Sequence, residues 1–207
     1  MEAVIENGFA KVAAGDWLMG RTQPVACGGR AAVGGLKGFL VPDRGYVRTV
    51  ALDAEAYCAS ADAPFLSRLD ALPDEPLKLV SAKLLVAPRA ARTGAKSVRL
   101  VPMSLSKSLV VTELLKGWAV AATRSRVTRV ALEDGATLTV RPEAVVAWVG
   151  NDPSGYCPKL SILDMILPRP PKALAFSFHG PATVWFEGAA AEGLARPNRR
   201  ERRPAWR

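Results

Sequence analysis

The sequence predicts an all-β fold: a duplicated β-roll or β-sandwich of short antiparallel strands, followed by a flexible basic C-terminal tail. Three observations predict it. Apolar residues recur in short alternating runs or short blocks, and no run sustains the helical period of about 3.6 residues. Glycine, proline, asparagine and aspartate punctuate these runs at close intervals. Finally, the best-formed stretch of the chain, residues 115–148, is matched by an earlier one.

Within LKGWAVAATRSRVTRVALEDGATLTVRPEAVVAW, Thr128, Val130 and Leu132 alternate with more polar neighbours, and Leu138 and Val140 alternate with Thr137 and Thr139. That is the period-two pattern of half-buried strands. The turn falls at Glu133, Asp134 and Gly135. A two-residue loop would leave the two apolar rows on opposite faces. A three-residue loop pairs Leu132 with Ala136, Val130 with Leu138 and Thr128 with Val140, so that the apolar residues share one face. Gly135 then takes the left-handed position, where a residue without Cβ has no steric penalty. Pro142 stops the pairing, and residues 144–149 are apolar on both faces, as expected of a strand buried on both sides.

Residues 36–56, LKGFLVPDRGYVRTVALDAEA, align with residues 115–136. Leu36, Lys37, Gly38, Phe39 and Val41 fall on Leu115, Lys116, Gly117, Trp118 and Val120. After a one-residue insertion, Val47, Val50, Ala51, Leu52 and Ala56 fall on Val127, Val130, Ala131, Leu132 and Ala136. Two copies point to two similar β-units packed together rather than to a solenoid. The first has Asp53, Ala54 and Glu55 where the second has its glycine turn.

The remaining segments follow in order. Up to about Val33, short apolar pieces at residues 3–5 and 17–19 are separated by glycines, and the Gly28-Gly29 and Gly34-Gly35 pairs read as turns between short strands. They match no phosphate-cradling pattern. Residues 61–76, with Pro64, Pro73 and Pro76, read as a connection with room for one helical turn. Residues 77–86 form one strand-like run interrupted by Ser81 and Lys83 and ended by Pro88. Arg89, Arg92, Lys96 and Arg99 cluster without interleaved aromatics and read as a solvated loop. After a loop at residues 150–155, residues 173–178 and 183–186 read as two final strands around the turn His179-Gly180-Pro181.

At 207 residues and 49% hydrophobic, the chain is long enough to bury a sizeable core. Residues 1–190 read as the duplicated β domain and residues 191–207 as a disordered basic tail. The N-terminal segment carries Glu2, Glu6 and Asp16 and resembles neither a secretory signal nor a transit peptide. No stretch reaches the roughly 18 apolar residues of a membrane span. A cytoplasmic protein is expected. Cys27, Cys58 and Cys157 are too far apart for a zinc or disulfide framework and read as reduced thiols. The net charge of +9 is concentrated: six arginines against Glu201 in residues 196–207 supply more than half of it.

No catalytic set emerges. His179 is the one histidine, so a multi-histidine metal site is excluded, and it sits where a turn is expected. Asp53, Glu55, Glu133 and Asp134 fall at turns, where short polar side chains satisfy backbone. The reading is of a non-enzyme with no cofactor and no metal.

The run from Ser125 to Trp148 (strand, Leu-x-x-Gly turn, strand, x-Val-x-Pro-x-x-Val-Val-Ala-Trp), followed by Phe178-His179-Gly180-Pro181-Ala182-Thr183-Val184-Trp185, resembles the altered-inheritance-of-mitochondria family numbered twenty-four. That family is similar in fold to the tryptophan RNA-binding attenuator protein. Its closing motif is typically Phe-x-Gly-Pro-Gly-x-Val-Trp or Tyr; here Ala182 replaces the second glycine. The motif residues Gly135, Gly180, Pro181 and Trp185 are structural, and the resemblance transfers no catalytic residue. It implies a duplicated β-roll, homo-oligomerisation, and a role uncharacterised in bacteria and linked to inner-membrane organisation in mitochondria. Similarity to an RNA-binding fold does not itself imply RNA binding.

Two functions are therefore expected. One is a non-enzymatic scaffold or assembly protein, homo-oligomeric and presenting a surface to a protein partner. The alternative is an anion-binding protein whose Arg199, Arg200, Arg202 and Arg203 contact phosphates of nucleic acid or of an anionic membrane surface, with Trp206 stacking or inserting.

Overall fold

A computed structural model of the chain describes residues 3–20, 24–27, 31–33, 47–72, 75–99, 108–156 and 175–188. Its strands are β1 (Ala3–Glu6), β2 (Phe9–Val12), β3 (Gly15–Met19), β4 (Pro24–Cys27), β5 (Ala31–Val33), β6 (Arg48–Leu52), β7 (Ala56–Cys58), β8 (Phe65–Asp70), β9 (Leu77–Val80) and β10 (Leu84–Pro88). They continue as β11 (Arg92–Arg99), β12 (Ser108–Leu114), β13 (Trp118–Thr123), β14 (Val127–Leu132), β15 (Thr137–Val140), β16 (Val145–Gly150), β17 (Ser154–Tyr156), β18 (Ala175–His179) and β19 (Ala182–Glu187). The fold is all-β, as the residue pattern predicts.

The strands form four antiparallel sheets, ordered β1-β2-β7-β4, β5-β6-β3-β10-β13-β8, β11-β12-β9-β16-β19-β14 and β15-β18-β17. Three apolar cores lie between them. The first joins sheets one and two through Ala10, Val12, Trp17, Met19, Trp118 and Val120. The second joins sheets two and three through Leu18, Leu77, Leu79, Leu84, Ala119, Ala121 and Val146. The third joins sheets three and four through Val145, Trp148, Phe176, Phe178, Val184 and Phe186. The two six-stranded sheets are thus buried on both faces, which is why their central strands are apolar at consecutive positions. Size alternates instead of polarity. In β13, Trp118, Val120 and Ala122 face the first core while Ala119 and Ala121 face the second. The middle core is built mainly from leucine, alanine and valine with Trp185 as its one aromatic ring, and the other buried rings fill the outer two.

Residues 77–88 do not form one strand. β9 belongs to the third sheet and β10 to the second, and a 3-10 turn, Ser81–Lys83, carries the chain between them. Ser81 is fully buried there, and its hydroxyl bonds that of Thr112 at 2.8 Å. This pairing satisfies two polar groups that burial would otherwise leave costly.

Three other expectations are corrected. β14 and β15 are not a hairpin: β14 pairs with β19, placing Val130 opposite Val184 and Leu132 opposite Ala182, and β15 pairs with β18, placing Leu138 opposite Phe178. The turn between them is a corner from the third sheet to the fourth. Gly135 does take positive φ, at 76°, and the Ala136 amide donates to the Glu133 carbonyl at 3.0 Å. The apolar residues still converge on one core, with Leu138 and Val140 entering it from one sheet and Val130 and Leu132 packing on it from the other. Residues 61–76 carry the strand β8 rather than a helical turn, because the eight residues between Pro64 and Pro73 contain no proline and the first six of them can pair with β13. The basic segment is likewise the strand β11, paired along its length with β12. As the terminal strand of its sheet, β11 can accommodate basic residues that a central strand could not.

Where both aligned stretches are described, from Arg48 and Val127 onward, their strands pair in matching ways. β6 pairs with β3, with Val50 opposite Trp17, and β14 pairs with β19, with Val130 opposite Val184. The strands that follow, β7 and β15, each cross into an outer sheet. There they pair with β2 and β18, the strands that immediately precede β3 and β19. The Gly28-Gly29 and Gly34-Gly35 pairs, the start of the first copy (36–46), Cys157 and the tail lie outside the described residues.

Candidate functional site

β8 ends the second sheet. It pairs with β13 along one side, from Phe65 opposite Thr123 to Asp70 opposite Trp118. Among the described residues no strand occupies its other side. On that side alternate residues of β8 present amides and carbonyls that no described strand pairs, and such edges are usually blunted by charged side chains, proline or a bulge. β8 has no proline and no bulge, and its two charged residues, Arg68 and Asp70, are of opposite sign. Their side chains form a 3.0 Å ion pair, and the Arg68 guanidinium lies 5.4 Å from the Trp118 ring centre. Leu69 points the other way, into the middle core.

Apolar side chains gather around this edge. Among the described residues five large ones are exposed. Phe65 (41%) begins β8, and Leu72 (38%) lies just past its end. Leu115 (47%) sits in the β12–β13 connection, whose Gly117 carbonyl accepts a hydrogen bond from the Ala71 amide at 2.9 Å. The other two, Val4 and Ile5, lie on β1, which ends the first sheet.

A groove of about 720 Å³ opens at the end of the stack where the β7–β8 connection, the 3-10 turn and the ends of β13 and β19 meet. Lys83 and Glu187 form an ion pair in its wall, with side chains only 14% and 15% exposed, and the Lys83 ammonium also donates to the Glu143 carbonyl. Burial holds the Lys83 pKa below the ordinary lysine value of 10.5, and Glu187 offsets part of that. Lys78 is held similarly at the far end of β16, by the Gly150 carbonyl and by Asp152 at 3.1 Å. The sequence signal for both was two lysines inside an otherwise apolar run, where each buried charge requires a partner. Glu187→Gln should destabilise the protein by about 3 kcal/mol by leaving the ammonium without its carboxylate, and Lys83→Met/Glu187→Gln should recover most of that loss. A lysine whose folded pKa is depressed releases its proton from the folded state first as pH rises. Wild type should therefore gain stability relative to the double variant from the folded pKa of Lys83 up to 10.5. Urea denaturation across that range checks both expectations.

The predicted motif residues lie in close-packed turns and in the middle core. The turn containing Gly135 packs against Gly180, whose amide donates to the Ala136 carbonyl at 2.9 Å. A Cβ at Gly150 would lie 2.9 Å from the Pro181 carbonyl oxygen, so Gly135, Gly180, Pro181 and Gly150 form one set of close-packed turns. Trp185 is separate from them. It packs in the middle core, with the Arg129 guanidinium 5.6 Å from its ring centre. His179 is exposed at the end of β18, its ring nitrogens 3.3 Å from the Thr137 hydroxyl and 3.4 Å from the Ser154 hydroxyl. Those long contacts face hydroxyls rather than a carboxylate. Cys58 is buried. Among the described residues no cluster could hold a metal ion, and no helix is long and apolar enough to cross a membrane. Arg199, Arg200, Arg202 and Arg203 lie outside the described residues.

These features define an all-β stack with an open sheet edge. No protein-family model and no curated protein matches the chain by sequence. Its fold is similar to that of protein SPYM3_0169 from Streptococcus pyogenes, a crystal structure that aligns with a TM-score of 0.66 at 14% sequence identity, over 92% of this chain and 94% of that one. The likeness extends across nearly the whole of both chains and concerns the fold alone.

Proposed function

We propose that this chain is a non-enzymatic scaffold protein that assembles with further copies of itself, as its resemblance to the altered-inheritance-of-mitochondria family implies. The observation that carries this reading is the edge of β8, which no described strand pairs and which exposed Phe65, Leu72 and Leu115 border. Strand addition at such an edge supplies main-chain hydrogen bonds, and the apolar border supplies burial. The matching pairings of β6 with β3 and of β14 with β19 support an internally duplicated β-unit as the building block.

Light scattering of the full chain over a range of concentrations tests the reading. A mass that is a multiple of 22.0 kDa is expected, and 22.0 kDa throughout would overturn it. The anion-binding alternative rests on the composition of residues 196–207. Titration with RNA and with anionic vesicles at physiological salt, using the full chain and a chain ending at Ala195, would favour it if only the full chain binds.

A further inference from the structure

The sequence of β8 is complementary to itself. We infer that two copies pair antiparallel through β8 about a two-fold axis at Leu69, joining their second sheets into one continuous sheet. This rests on the assembly reading above and specifies its contact.

In an antiparallel pair, residues directly opposite each other lie on the same face. Centring the axis on Leu69 sets Arg68 against Asp70 of the second copy and Asp70 against its Arg68, so one register makes two attractive cross-strand pairs. The same register sets Leu66 against the exposed Leu72 of the second copy, again twice, and Ser67 against Ala71. Shifting the register by two residues in either direction breaks the charge match, because Arg68 or Asp70 then faces its own counterpart. Leu69 meets Leu69 at the axis on the face that continues the middle core. A partner of another sequence would have to reproduce this pattern, whereas a second copy contains it. The interface is isologous and closed, which suits a dimer.

Charge exchange tests the register. Arg68→Asp sets like charges opposite each other twice in the dimer, and so does Asp70→Arg. Each should weaken association about tenfold to a hundredfold. Arg68→Asp/Asp70→Arg restores two attractive pairs and should return the dissociation constant to within a few-fold of wild type; because it also restores the ion pair within each chain, a cross-link at the axis is needed to separate the register from that local contact. As a second measurement, Leu69→Cys brings two thiols together at the axis, at the roughly 5 Å Cα separation that suits a disulfide. Mild oxidation should give a covalent dimer with Leu69→Cys and not with wild type. If wild type assembles but neither single charge change weakens it and Leu69→Cys does not cross-link, the β8 register is wrong and the assembly reading stands. If wild type is monomeric at every concentration, both are overturned.

Discussion

Gly180→Ala is expected to remove about 4 kcal/mol or more of stability, enough to deplete the folded protein. A Cβ at this position would fall on the Glu133 carbonyl oxygen, 2.6 Å from its carbonyl carbon and 3.0 Å from the Leu132 oxygen. All three atoms are backbone, held by the corner that turns the chain from the third sheet to the fourth, so relief would require separating β14 from the β18–β19 connection. Gly135 provides the contrast. A Cβ there would meet nothing within 4 Å, and only its φ of 76° opposes a side chain. Gly135→Ala should therefore cost about 1 kcal/mol. Urea denaturation of the two variants separates a glycine required for space from one required for conformation.

Trp148→Ala is expected to cost about 3–5 kcal/mol. The ring is fully buried in the third core, where it meets Phe178 edge-on at a centroid distance of 5.7 Å. Among the described residues its buried indole nitrogen has no hydrogen-bond partner, so Trp148→Phe sacrifices volume but none of the described bonds. Trp17, fully buried in the first core, is tilted against Trp118 at 5.7 Å, and its indole N–H donates to the Ala13 carbonyl at 2.9 Å. Trp17→Phe should therefore be the more damaging phenylalanine substitution, by about 1 kcal/mol, because it also gives up a hydrogen bond. Thermal or urea unfolding of the two variants, read side by side, decides it.

Much of the architecture is legible in the residue pattern, and its failures have physical causes. Residues 144–149 read correctly as a strand buried on both faces, and β16 is one. Gly135 read correctly as a left-handed turn residue. The partner of a strand was harder to read. Alternation identifies a strand's faces but does not distinguish two strands facing each other across a core from two strands side by side, so the corner at residues 133–136 read as a hairpin. The run at residues 77–88 has the same difficulty: both of its halves are apolar, and the switch between sheets depends on a single turn around Ser81.

β8 was obscured for a different reason. Flanking prolines suggest a connection, yet prolines on either side of a short free run are also what an edge strand tolerates. Arg68 and Asp70 kept the segment from reading as core, and an open edge is where charged residues belong. The site most relevant to the proposed assembly therefore lay in the stretch whose pattern was least strand-like. The buried lysines carried a clearer signal, since a charge inside an apolar run must find a partner.

Amide hydrogen exchange along β8, measured on the full chain at concentrations above and below assembly, tests the central claim most directly. Alternate amides of an edge strand point toward β13 and toward the open side. Pairing through β8 predicts that both sets are protected in the assembled protein and that dilution releases only the outward set. Outward amides of residues 65–70 that exchange as fast as loop amides, in a sample whose mass is a multiple of 22.0 kDa, would contradict it.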